Sequence, residues 1–296
     1  MSGPIGGLAT GSPTGPVILV TGGTGNIGET LVSHLVAAGA SVRMMVRNPA
    51  VRTWPQGIAV VPGDMSDAGT LDAAFAGADR AFLLAPGPDV PAQDDALIQA
   101  AIRARVGHVV MLSSLGAELG GIGSGGVHLP GERTLRDSAL SWTILHPSEF
   151  MTNTLWWAVT VRAAGSIFVP TGDGKVGYID PADIAAAAAV VLTSDGHVGS
   201  TYRLTGPEAL STADVAARLS SAIGRPIRHV DIPEAVYRAQ MAGAGLPNGL
   251  VEMQIAYCAA VRAGRVNIVT GDVEALTGRR PGDFATWLAP RAAAFG

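Results

Sequence analysis

The chain has 296 residues, 48% of them apolar and 15% charged, with a formal net charge of −4. That balance excludes extended disorder and the basic footprint that nucleic-acid binding needs. No run approaches the ~18 consecutive apolar residues of a membrane-spanning helix, and the single cysteine, Cys258, excludes an internal disulfide or a cysteine-ligated zinc and reads as a buried, inert thiol.

The first sixteen residues, 1–16, are rich in Gly, Pro, Ser and Thr, carry no charged side chain, and are expected to form a flexible tail. They lack the basic start and long apolar stretch of a secretory signal, so the expected location is cytoplasmic. Val17 to Val20 then reads as a buried strand, followed at once by glycines at 22, 25 and 28. A periodic segment from Glu29 to Ala38 places Leu31, Val32, Leu35 and Val36 on one side and stops at Gly39. Strand, glycine turn and helix in that order make a dinucleotide cradle. Gly22 permits the tight turn, Gly25 lets the backbone approach a pyrophosphate, and Gly28 lets helix and strand pack closely. Thr24, Asn26 and Ile27 complete the expected phosphate site, where the helix-start amides face the anion.

The next strand, Ser41 to Val46, ends at Arg47-Asn48-Pro49. An NAD site wants an acidic residue about 20 positions beyond the glycines to hold the ribose 2′-hydroxyl. Arg47 stands there instead, and no Asp or Glu occurs between Glu29 and Asp64. A guanidinium matches a 2′-phosphate, so NADP(H) is favoured over NAD(H); a solvated strand-end arginine is the alternative. Arg43 is a reserve candidate, on a strand position that can turn it away from the site.

The alternation continues with a strand at Ala59 to Asp64, a helix at Ala68 to Ala76, a strand at Arg80 to Pro86, a helix at about Ala92 to Arg105 and a strand at His108 to Ser114. Such alternation predicts an α/β fold, a Rossmann-type doubly wound parallel sheet whose ligands bind beyond the strand carboxyl ends. Arg47, Asp64, Leu84-Ala85-Pro86 and Ser113-Ser114 then fall along one edge. Asp64 can accept from an adenine amino group with Met65 covering the ring, or can equally serve as a turn aspartate capping the following helix.

Leu115 to Gly131 holds seven glycines and reads as a lid over the cleft or as a plain mobile loop. A helix is expected to start at Pro130 with Glu132 in its first turn, followed by a strand at Trp142 to Leu145. Asp183 reads as the N-cap of an alanine-rich helix over Ile184 to Leu192. Ser211-Thr212-Ala213-Asp214 opens a helix to about Ala222 with a capping-box pattern. A strand at Ile227 to Ile232 and helices at Pro233 to Ala242 and 248–263 complete the C-terminal third. Phe150, Met151, Trp156, Trp157, Tyr237 and Met241 are candidates to line an apolar pocket, although each would equally suit core packing.

With these motifs in hand, the chain resembles the NmrA-like branch of the atypical short-chain dehydrogenases/reductases over roughly residues 17 to 290. The resemblance rests on Thr21 to Gly28, Val46-Arg47-Asn48-Pro49, Gly63-Asp64, Leu83-Leu84-Ala85, Leu145-His146-Pro147 with Phe150 and Asn153, Gly172 to Lys175, Asp183-Ile184-Ala185 and Thr201 to Gly206. Within that branch it is most similar to NADPH-dependent quinone oxidoreductases, whose matching segment has a His and a Glu four apart; His128 and Glu132 hold those positions here. The resemblance implies a dinucleotide-binding domain over 17–155, with 176–206 returning to it, and a smaller substrate lobe mainly over 156–296. It also implies Pro147 and Phe150 beside the cofactor and leaves an oligomer open.

Ordinary members of the wider family protonate the reduced carbonyl with a Tyr activated by a Lys four residues on. This chain has one lysine, Lys175, and Thr at 171, so that pair cannot exist. A ketone reduction would draw its proton from His128, from Ser113 or Ser114, or from water. A quinone or dye acceptor needs less help, because hydride transfer to it yields a delocalised anion. The expected function is therefore NADPH-dependent hydride transfer to a small apolar or aromatic quinone or conjugated carbonyl, with His128, Ser113 and Glu132 as catalytic candidates. The alternatives are a non-catalytic NADP-binding redox sensor, or a tailoring reductase, dehydratase or isomerase on the same scaffold.

Overall fold

Only a strand covered on both faces needs four consecutive apolar residues, and β1 (Val17–Val20) has them, the last three fully enclosed. The computed structural model describes residues 15–296 apart from Arg52, Gln56, Gly87 and Pro88. All but two residues of the expected N-terminal tail lie outside them. After β1 come α1 (Asn26–Ala37), β2 (Ser41–Val46), β3 (Ile58–Pro62), α2 (Ala68–Phe75), β4 (Arg80–Leu83), α3 (Val90–Ala104) and β5 (His108–Leu112). Then follow α4 (Leu115–Glu118), α5 (Gly125–Asp137), β6 (Trp142–Pro147), α6 (Ala158–Ala164), β7 (Ser166–Phe168), β8 (Lys175–Val176), α7 (Pro181–Thr193) and β9 (Ser200–Leu204). The chain closes with β10 (Leu210–Ser211), α8 (Thr212–Ile223), β11 (Arg228–Val230), α9 (Glu234–Gly243), α10 (Asn248–Arg262), α11 (Asp272–Thr277) and α12 (Phe284–Leu288).

The main sheet has seven parallel strands in the order β3-β2-β1-β4-β5-β6-β9. Successive side chains point to opposite faces, so Ile18 and Val20 join a core with α1 and α7, while Leu19 joins Phe75, Leu97, Ile98 and Leu135 beneath α2, α3 and α5. Ala185 to Ala189 in α7 are small enough to let it lie close against α1 and the sheet. The fold is thus the Rossmann-like α/β arrangement expected from the alternation. The smaller sheets pair β7 with β11 and β8 with β10 around a separate core containing Tyr178, Phe284, Trp287 and Phe295.

Three local expectations are corrected. The α7 cap is Asp180, whose carboxylate accepts from the Ala182 amide at 2.9 Å, while Asp183 lies buried in the first turn. There Asp183 receives the Gly282 amide at 2.7 Å and Arg279 at 2.8 Å. The glycine-rich stretch is not a plain loop: it folds as α4 and the start of α5 and lines the cleft. A Cβ on Gly116 would overlap the Ile122 carbonyl and one on Gly125 would overlap the Gly116 backbone, so these glycines serve close packing. Finally, α5 begins at Gly125, with Pro130 inside it. Proline removes one rung there, the amide that would have met the Gly126 carbonyl, and the flanking turns carry the helix through. His128 and Glu132 therefore share one helix, a turn apart.

Candidate functional site

The glycine turn has the geometry that its spacing predicted. Gly22 takes φ +65°, and the Gly25 amide closes on its carbonyl at 3.1 Å. A Cβ on Gly22 would overlap the Leu84 side chain, and one on Gly28 would overlap the Gly22 backbone, so strand and helix meet with no side chain between them. Gly25 differs: a Cβ there would meet only the Gly22 carbonyl, at an ordinary 3.5 Å, and the position faces solvent with Thr24 and Asn26. No side chain caps the start of α1, while Ile27 and Gly28 are buried beneath it. The Thr21 hydroxyl receives the Leu84 amide at 2.8 Å and ties the ends of β1 and β4 together, setting Leu84, Ala85 and exposed Pro86 beside the turn.

Arg47 is exposed at the end of β2; hydrogen bonds from Ser66 hold the nearby Asp64 carboxyl below its usual range, and the Arg47 charge adds a smaller effect in the same direction. Asp64 Oδ1 accepts from the Ser66 amide at 2.9 Å and its hydroxyl at 2.6 Å, a tight turn beside Met65. The next helix is capped by Asp67, not Asp64. Arg43 donates to the Ala74 and Ala76 carbonyls at 2.9 and 2.6 Å, at the far end of α2, and so is engaged elsewhere.

At the ends of β5 and β6 lies a buried polar cluster. The Ser113 hydroxyl donates to Glu132, which also meets His146 Nε2 at 2.7 Å and Arg136 at 3.3 Å. His146 Nδ1 lies 3.4 Å from Glu118, which Arg203 grips with two donors. Burial works against charge on Glu132, but the hydrogen bonds from His146 and Ser113 outweigh it and keep its carboxyl below the usual range. An anion so fully engaged joins α5 to the sheet edge. His128 instead reaches back to α3, with Nδ1 3.3 Å from the buried carboxylate of Asp94; the imidazole side chain is 12% exposed.

These elements surround a cavity of about 290 Å³. Leu84, Ala85, Ser113, Pro147 and Phe150 bound it at the sheet edge, His128 at α5, and Met253 and Tyr257 at α10. Trp156, 69% exposed, stands at its mouth. A smaller cavity of about 60 Å³ adjoins it, lined by Trp157, Tyr178, Tyr237 and Cys258. Glu149, Asn153, Trp156 and Tyr257 line both. Of the apolar candidates, Phe150, Trp156, Trp157 and Tyr237 thus reach a cavity, whereas Met151 is core and Met241 lines neither. Among the described residues no arginine or lysine lines either cavity. Lys175 lies half-exposed, 3.9 Å from Asp214. Burial raises the Cys258 thiol to about 12.

Sequence reasoning did not single out Asp94, Glu118 or Glu149. Asp94 and Glu118 carried no local signal, since their partners lie 34 and 85 residues away. Glu149 did carry one: it lies two residues beyond the strand end and has Asn153 four residues on.

The family model that matches residues 15–272 describes the NmrA-like family. The chain is 38% identical over 284 residues to an NAD(P)H azoreductase from Xenophilus azovorans, covering 95% of this chain and 99% of that one. It is 36% identical over 282 residues to a (4-alkanoyl-5-oxo-2,5-dihydrofuran-3-yl)methyl phosphate reductase from Streptomyces griseus, covering 94% and 99%. An NADPH-dependent quinone oxidoreductase from Escherichia coli, solved in complex with NADPH, matches with a TM-score of 0.84 at 28% identity, covering 93% of this chain and 99% of that chain.

Proposed function

The chain belongs to the NmrA-like family, and on that premise we propose that it transfers hydride from NADPH to a flat conjugated acceptor, a quinone or related conjugated carbonyl. It is an NAD(P)H-dependent oxidoreductase, and its cofactor is NADP(H). The residues present fit that cofactor. Gly25 leaves the surface above the α1 amides free of a side chain, and Arg47 stands exposed at the next strand end, where a 2′-phosphate would meet it. Bound there, NADPH supplies the hydride. Leu84, Ala85, Pro147 and Phe150 give its reactive end an apolar seat beside the cavity and exclude water from it.

The observation that carries the acceptor class is a cavity lined, among the described residues, by no lysine or arginine. A simple ketone would gather the full charge on one oxygen as hydride arrives, with no lysine or arginine among the described lining residues to offset it before a proton is delivered. A conjugated acceptor spreads the same charge over its own π system. The azo group, the dihydrofuranone and the quinone in the relatives' names are all acceptors of that kind. A panel of quinones, azo dyes, enones and simple ketones, with loss of NADPH followed, tests the reading. Turnover should be fastest on the conjugated acceptors and weakest on the ketones. Fastest turnover on simple ketones, or none on any acceptor while NADPH still binds, would refute it.

A further inference from the structure

Hydride transfer leaves an anion, and that anion needs one proton. Two titratable side chains on the cavity wall are placed to supply it. His128 is held at Nδ1 by Asp94 on one side. Glu149 stands on the other, two residues beyond the end of β6, at the carboxyl edge of the sheet and next to Phe150. Its backbone is pinned, because its carbonyl receives the Ile179 amide at 2.9 Å. Its carboxyl is aimed from two elements: Asn153 Nδ2 donates at 2.7 Å, and the Tyr257 phenol of α10 hydrogen-bonds to it.

We propose that the carboxyl of Glu149, set between the two cavities, is the acid that protonates the reduced acceptor. The assignment rests on the hydride-transfer reading above. The groups facing Glu149 from each side are the phenols of Tyr178, Tyr237 and Tyr257, the thiol of Cys258 and the amide of Asn153, with His128 across the larger cavity. None is a lysine or an arginine. The half-buried Glu149 carboxyl has no counter-ion, and desolvation, opposed by the hydrogen bonds from Asn153 and Tyr257, raises it above its usual range and so favours its protonated form. The hydride forms a bond to one atom of the conjugated system, and the displaced π pair takes the Glu149 proton at the heteroatom. The carboxylate left behind accepts from Asn153 and Tyr257 until water entering past Trp156 returns a proton to it.

Glu149→Gln keeps the size and the hydrogen-bond acceptor while removing the acid. On an azo dye or enone it should slow turnover by about 10²–10⁴-fold with NADPH affinity, read by fluorescence, unchanged. The wild-type rate should fall at high pH as the acid is lost, and that limb should vanish in the variant. Unchanged turnover and an unchanged limb in Glu149→Gln, or both effects following His128→Ala instead, would overturn the assignment. Infrared difference spectra of the protein without acceptor give a second reading. A protonated carboxyl band should be present near neutral pH and absent in Glu149→Gln. Without that band in the wild type the assignment falls, whatever the panel shows. If the band is present and no acceptor turns over, it is the hydride-transfer reading that fails.

Discussion

Arg47 and Gly25 bear on the cofactor from opposite chemical directions. Losing one charge-assisted contact to a 2′-phosphate costs roughly 10- to 150-fold in affinity, so Arg47→Ala should weaken NADPH binding by about that factor and leave NADH nearly unchanged. Titration of both cofactors checks this, and equal weakening of both would remove Arg47 from the site. A Cβ at position 25 meets nothing closer than ordinary contact and the site faces solvent, so Gly25→Val should fold normally and yet abolish cofactor binding. Circular dichroism and an NADPH titration separate those two outcomes. His108 reports on stability instead. It is buried against the Thr143 hydroxyl at 2.9 Å, and burial, with the charge of Arg80 adding to it, lowers its pKa from 6.5 to about 4. The unfolded chain takes up this proton near 6.5 and the folded chain only near 4. The folded state therefore loses ground as pH falls between those values, by up to about 3 kcal/mol, and is unaffected above them. Urea midpoints measured across that window should show the slope, and His108→Gln should flatten it.

The elements that position the cofactor end of the site could be read locally because each carries its own punctuation. The Gly22, Gly25 and Gly28 spacing announced the turn, and Ser211 with Asp214 announced the start of α8, where the structure has a complete capping box. The α7 start was also signalled, by Pro181 in the first helical position after Asp180, and was misread only because Asp183 competes as a cap. The stretch from Leu115 to Gly131 could not be read this way. Glycine's meaning there depends on what it touches, and Gly116 touches Ile122 and Gly125 across a turn that no short-range pattern shows. For the same reason Gly125→Ala should destabilise the protein by about 1–3 kcal/mol, because its methyl has only backbone to displace. A lowered urea midpoint at unchanged m-value is the expected result. An unshifted midpoint would mean that α4 and α5 can part at no cost.

On the scale of the whole molecule, the parallel sheet followed from the strand–helix alternation, while the side chains of the site's second wall did not. That wall comes from α10, more than 90 residues beyond β6, and its side chains carry no motif. Folding alone brings Tyr257 to Glu149. A ligand that binds only the folded chain stabilises it by mass action. NADPH at a hundred times its dissociation constant should add about 2.7 kcal/mol to unfolding, an increment that Gly25→Val should lose. Calorimetry with and without cofactor measures it. Cys258 offers a different kind of access. The chain's one thiol faces the smaller cavity with its pKa pushed up to about 12, so a thiol reagent in solution meets almost no thiolate while the walls are closed. The labelling rate of the unmodified protein then acts as a clock for how often α10 swings away from the sheet, and an acceptor lodged in the cavity should make that clock run slower.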